Sequence, residues 1–174
     1  MVKLLTHLEI PVQQQIFFYE AQMPSFNENY FIQKIEEGIK LQNNFNYKTN
    51  VKGFMTSWKY FNEDQEFHNL LTNFFTGIKF RKPCNYKLMD SWGLKCIQGN
   101  RTEFHNHMEA SASGIFYLSD CTSPIIFPQL EKEFYPKKGK VLFFDPTLTH
   151  GTAEIKEGEK YAIAFNLFES KAWD

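Results

Sequence analysis

Residues 140–168, KVLFFDPTLTHGTAEIKEGEKYAIAFNLF, decide how the chain is read. Two apolar runs, VLFF and YAIAFNLF, stand on either side of DPTLTHG and KEGEK, where Pro, Gly and clustered charges mark turns. Runs this short between turn signals read as strands rather than helices. The same texture reaches back to Tyr86, through KLMDSWGLKCIQ, TEFHNH, SASGIFYL and SPIIFP, with breaks at GN and KKGK. It predicts a β-sandwich or small barrel over residues 86–174.

Residues 1–85 read differently. After an extended start near Leu4 to Val12, PSFNENYFIQKIEEGIKLQ offers Ser25 as a cap with Glu28 three residues on, a capping-box spacing, and Ile32, Ile35 and Ile39 recur at helical intervals. NEDQEFHNLLTNFFTGIKF predicts a second helix capped by Asn62, with Phe67, Leu70, Leu71, Phe74 and Ile78 on one stripe. The expectation is a single domain, 1–174, in which an N-terminal strand and two helices pack on a β-rich core.

Composition narrows the function classes. At 174 residues the chain can bury a core without staples, and 19 basic against 20 acidic residues leave a charge of −1, with no field to attract a polyanion or an acidic membrane. KKGK at 137–140 reads as a solvated turn, not a nucleic-acid patch. The 3 cysteines, Cys84, Cys96 and Cys121, are odd in number and widely spaced, so they read as reduced thiols of a cytoplasmic protein. MVKLLTHLEIPV has no continuous apolar region or cleavage site, and no run of residues is long enough to span a bilayer.

Chemistry concentrates in EFHNHMEAS, residues 103–111, which holds 2 of the chain's 5 histidines. In an extended segment, residues i and i+2 share a face, so His105 and His107 point together, as do His107 and Glu109. A third ligand has its best source in His150 of DPTLTHG. His7 and His68 are poorer placed. Two close ligands and one distant ligand make a facial triad with open positions, which suits iron(II) better than a closed structural zinc site. Lys160, at the start of YAIAFNLF, is either a solvated turn residue or a point charge for a carboxylate.

GNRTEFHNHMEASASGIFYL, PKKGKVLFFDPTLTHG and GEKYAIAFNL resemble three sequence blocks of a 2-oxoglutarate- and iron(II)-dependent oxygenase family found widely in marine bacteria and their phages. NVKGFMTSW and DSWG extend the likeness upstream. The resemblance implies a double-stranded β-helix, a jelly-roll barrel. It also implies iron held by His105, His107 and His150, with 2-oxoglutarate as co-substrate and O2 as oxidant. The wider superfamily has a carboxylate where this chain has His107, and the resemblance favours His107 over Glu109 as third ligand. Lys160 falls where the family has arginine to bind the distal carboxylate of 2-oxoglutarate. Ala162 stands in place of a serine, and Asp145 in place of a proline. Trp92, Asn100 and Tyr117 are candidates to line the co-substrate pocket.

The implied activity is C–H hydroxylation of a small molecule or protein side chain. Two alternatives stay open. One is a three-histidine cupin enzyme, a thiol dioxygenase or isomerase that does not use 2-oxoglutarate; Gly99 before His-x-His fits its first motif, although Ser111 and Ala112 stand where its glutamate belongs. The other is a non-catalytic barrel that binds a ligand or protein partner.

Overall fold

The computed structural model describes residues 3–10, 16–41, 49–78 and 85–170, with the backbone alone for 4–10. In chain order the elements are β1 (Lys3–Ile10), β2 (Ile16–Gln22), α1 (Glu28–Leu41), β3 (Val51–Lys52), β4 (Phe54–Met55), α2 (Gln65–Gly77), β5 (Tyr86–Ile97) and β6 (Arg101–His105). They continue with β7 (Ala112–Tyr117), β8 (Ile125–Phe127), β9 (Lys132–Phe134), β10 (Lys140–Phe144), β11 (His150–Thr152) and β12 (Glu159–Glu169). The strands form a seven-stranded sheet, ordered β1-β2-β10-β7-β12-β5-β4, and a five-stranded sheet, ordered β3-β6-β11-β8-β9. Every neighbouring pair is antiparallel.

The large sheet is covered on both faces. Its outer face meets the helices: Phe31 and Ile35 of α1 and Phe67, Leu70, Leu71 and Phe74 of α2 pack on Tyr19, Phe116, Phe143, Ile163 and Phe165. Its inner face meets the small sheet, with Phe18, Trp92, Leu94, Ile115, Leu142, Phe144, Ala162 and Ala164 against Ile125, Phe127 and Phe134. This double burial explains why YAIAFNLF shows no polar alternation: β7 is buried throughout, and so is β12 from Lys160 to Leu167.

Both helices form where their apolar stripes predict, but each starts from a different cap. The Asn27 side chain accepts the Tyr30 N–H at 3.2 Å, directly ahead of α1, so Ser25 does not cap it. Buried Phe31, Ile35 and Gly38 carry the contact face of α1, with Ile32 and Ile39 at its edges. Asp64, not Asn62, caps α2 by accepting the Phe67 N–H at 3.0 Å. Asn62 instead bonds Met89 O and Ser91 Oγ of β5. In each case the residue adjacent to the helix reaches the free N–H groups of the first turn, and the residue two positions earlier does not.

The N-terminal half contributes more than one strand. β2 lies between β1 and β10 inside the large sheet, and β3 and β4 join one sheet each. β1 covers most of the expected extended start; Pro11 and Val12 lie outside the described residues, as do the His7 side chain and Cys84. The lysines of KKGK at 137, 138 and 140 pair with Asp120, Glu28 and Glu20, and Gly139 turns the chain at φ 81°. Cys96 and Cys121 are free thiols. Among the described residues no helix is long and apolar enough to cross a membrane.

Candidate metal centre

His105 and His150 face each other across the pairing of β6 and β11. Thr102 and Thr152 are also paired, so Glu103 and Phe104 stand opposite Gly151 alone. This is a β-bulge, and it has a directional effect. Residues three apart on a regular strand point to opposite faces, yet here Thr102 and His105 both line the space between the sheets. Gly151 lets the bulge form, because a Cβ there would meet the Phe104 ring at 2.9 Å.

The expected strand geometry for His107 is corrected by the structure. β6 ends at His105, and His107 lies in the turn that follows. The turn is held by two backbone bonds, His107 N–H to Pro146 O and Ala110 N–H to His107 O, both at 2.9 Å. The first ties the H-x-H turn to the loop before His150. Asp145 shapes that loop by accepting from the Thr147 N–H and hydroxyl.

The three histidines converge. Each offers a ring nitrogen within 4.8 Å of the others. Ring centroids are 4.9 Å apart for His105 and His107, 4.4 Å for His105 and His150, and 5.2 Å for His107 and His150. His105 Nδ1 bonds Glu103 O at 2.8 Å and His150 Nδ1 bonds Leu148 O at 3.0 Å. A carbonyl only accepts, so both rings carry their proton on Nδ1 and leave Nε2 bare. Phe127 stacks on His150 and Phe144 meets it edge-on, which fixes the ring plane. Glu109 is exposed and stands outside the group. His68 is on α2, where its ring bonds Asn62 O.

Burial lowers the pKa of all three from the ordinary 6.5, His107 to about 4 and His150 to about 3. Proximity to His105 adds to the shift in the other two. The imidazoles are therefore neutral at pH 7, the form in which histidine binds a metal. Bare Nε2 atoms on His105 and His150, each backed by a carbonyl at Nδ1, and a third neutral ring in His107 make a donor set that fits a divalent transition metal.

The same pocket, which opens to solvent, is lined by Trp92, Thr102, Ser113, Ile115, Lys160 and Asn166 together with the histidines. Lys160 is 1% exposed, and it makes no hydrogen bond or ion pair among the described residues. Its place in β12 turns it inward with Ala162 and Ala164, so the solvated-turn reading is excluded. Two more donors on the same sheet face are buried without a partner among the described residues, Trp92 Nε1 in the pocket lining and Tyr117 Oη behind it. Three polar groups without partners on one sheet face fit an anionic guest, since burying them otherwise is costly. Asn100 is placed elsewhere: its side-chain oxygen accepts the Ile97 N–H and closes the turn between β5 and β6.

Sequence reasoning passes over one part of this site, the row Ser113, Asn166 and Asp90 beside His107. Its members belong to no metal-ligand or charge pattern in the sequence, and only strand register brings them together.

No protein-family model and no curated protein matches the sequence. Solved structures do match in fold. The viral collagen prolyl hydroxylase vCPH from Paramecium Bursaria Chlorella virus-1, in its 2OG complex, superposes with a TM-score of 0.62 at 16% identity, over 86% of this chain and 94% of that one. HygX from Streptomyces hygroscopicus, with nickel and 2-oxoglutarate bound, gives 0.62 at 12% identity, over 87% and 82%. The non-heme α-ketoglutarate-dependent carbocyclase SnoK from nogalamycin biosynthesis gives 0.66 at 10% identity, over 88% and 79%. The chain thus has the fold of 2-oxoglutarate-dependent oxygenases, and its three-histidine group lies between the two sheets of that fold.

Proposed function

We propose that the protein is an iron(II)- and 2-oxoglutarate-dependent oxygenase that hydroxylates a C–H bond of a small molecule or protein side chain. One observation carries the reading: three neutral imidazoles, one buried and two half-buried, share a pocket with a buried lysine that has no partner among the described residues. In this reading the facing sheets form a double-stranded β-helix, and His105, His107 and His150 hold the metal. Lys160 receives the distal carboxylate of 2-oxoglutarate, with Tyr117 Oη and Trp92 Nε1 as further donors. Solved neighbours with 2-oxoglutarate bound support this assignment. The free thiols Cys96 and Cys121 suit a cytoplasmic setting.

Iron(II), when bound, supplies the activation of O2 that is coupled to oxidative decarboxylation of 2-oxoglutarate. The chain's own residues do the rest. Neutral ligands leave the divalent charge uncompensated, which favours a dianionic co-substrate. Lys160 fixes one end of that dianion deep in the pocket. Leu94, Ile115, Phe144 and Ala164 form dry walls that limit water around it. The carbonyl bonds at His105 and His150 keep the ligand rings from turning.

A three-histidine donor set also suits a cupin enzyme without 2-oxoglutarate, but such a site has no use for the buried lysine. Anaerobic titration of the iron-loaded protein with 2-oxoglutarate separates the two. A metal-to-ligand charge-transfer band that saturates with added 2-oxoglutarate is expected, and its absence rules out the proposed function.

A further inference from the structure

Ser113, Asn166 and Asp90 lie side by side across β7, β12 and β5, because Ser113 pairs with Asn166 and Asn166 pairs with Asp90. Directly opposed residues share a sheet face. This one looks into the site: Ser113 and Asn166 line the pocket and are 1% and 6% exposed. The Asn166 amide is gripped at both ends. Its oxygen accepts from Ser113 Oγ at 2.7 Å, and its nitrogen donates to Asp90 Oδ1 at 2.9 Å. The same nitrogen stands 3.5 Å from His107 Nδ1, at the outer edge of hydrogen-bond distance.

His107 therefore differs from its two companions. His105 and His150 turn Nδ1 toward a carbonyl, which can only accept. His107 turns Nδ1 toward an amide, which accepts through oxygen and donates through nitrogen. A neutral imidazole has one ring proton. If the amide nitrogen faces Nδ1, the proton sits on Nε2 and blocks it; if the oxygen faces Nδ1, the proton stays on Nδ1 and Nε2 is bare for an ion.

We propose that Asn166, gripped by Ser113 and Asp90, is the positioning residue that decides whether His107 completes the ligand set. The inference rests on the three-histidine reading of the site. Asp90 holds the amide in the orientation that withholds Nε2, and metal binding requires the amide to turn over. After that turn its nitrogen donates to Ser113 Oγ, which accepts as readily as it donates, while the amide gives up its bond to Asp90 and its oxygen accepts from the His107 Nδ1–H. The Asp90 carboxylate thus opposes ligation by His107 one residue removed, through the amide it orients.

Three proteins test this: wild type, Asn166→Ala, and the exchange Asp90→Asn with Asn166→Asp. The exchange keeps charge and shape while offering His107 an acceptor-only neighbour. Ring 15N shifts of the metal-free proteins should place the His107 proton on Nε2 in wild type and on Nδ1 in the exchange variant. Calorimetry with cobalt(II) alone should find the exchange variant at least as tight as wild type, and Asn166→Ala weaker than the exchange variant by about 10- to 100-fold, with an altered d–d spectrum. The proposal is overturned if Asn166→Ala matches the exchange variant in affinity and spectrum. It is equally overturned if the exchange variant binds more weakly than wild type or leaves the proton on Nε2. A wild type that binds no cobalt(II) removes the three-histidine reading itself, and this proposal with it.

Discussion

The two faces of the seven-stranded sheet are made from the same strands but do opposite work. On the helix side, alternate residues of β12, Tyr161, Ile163, Phe165 and Leu167, pack without gaps against α1 and α2. The polar groups there are satisfied: Tyr161 and Lys95 both bond Glu36 of α1. On the inner side, the intervening residues are Lys160, Ala162, Ala164 and Asn166, and the pocket opens above the small side chains. Here Trp92 Nε1 and Tyr117 Oη have no partner among the described residues. One face spends its surface on packing, and the other keeps unmet hydrogen-bonding capacity in reserve for a guest. That contrast is what a stability–function compromise predicts for a binding site.

Changes in the pocket, on the inner face and on the small sheet opposite it, should cost binding and leave folding nearly intact. The largest effect is expected for His150→Gln, which should bring iron(II) binding below detection in anaerobic calorimetry while the far-ultraviolet spectrum stays that of wild type. Lys160→Met comes next. Losing one partner of a buried charge pair should weaken 2-oxoglutarate about 30- to 3,000-fold, read from the charge-transfer titration, with iron affinity retained. Because methionine replaces a buried amine without a partner, the metal-free melting temperature should rise rather than fall.

A change on the outer face should do the reverse. A Cβ at Gly93 would run into the fully buried side chain of Ile35 on α1. Gly93→Ala should therefore lose about 1–3 kcal/mol in urea denaturation, with iron affinity little altered. If it abolished iron binding, the two faces would not be separable.

The histidines give a pH test of the same division. Their folded pKa values lie below the ordinary 6.5, at about 4 for His107 and about 3 for His150, so below pH 6.5 the unfolded chain binds more protons than the folded one. Metal-free protein should keep its full stability above pH about 6.5 and lose it as the pH falls toward 4 and then 3. Melting temperatures across that window check this, and His150→Leu should flatten the slope. The smallest effect is expected for exposed Glu109: Glu109→Gln should leave iron affinity unchanged, and a clear loss would return Glu109 to the ligand set.

Much of this was legible in the sequence because it depends on local pattern. The apolar stripes of α1 and α2 announce buried helix faces, and the short apolar runs after Tyr86 announce strands. His105 and His150 stand out because imidazoles beside apolar strands are unusual, and Lys160 does so by resemblance. The helix caps were misread by two residues, since several cap-competent side chains compete and only the backbone path selects one. β2 and β9 went unread because IFFYEAQ and KEF carry no period that separates strand from loop.

The sequence by itself determined which segments would be apolar on one face or on both, and which side chains were able to bind a metal. Only the tertiary structure decided where those side chains point. A bulge opposite Gly151 turns His105 inward, a turn tied to Pro146 brings in His107, and strand register lines up Ser113, Asn166 and Asp90. The physical reason is range: hydrophobic period and ligand chemistry are properties of neighbouring residues, whereas register, bulges and cross-strand hydrogen bonds join residues far apart in the chain, 76 positions in the case of Asp90 and Asn166.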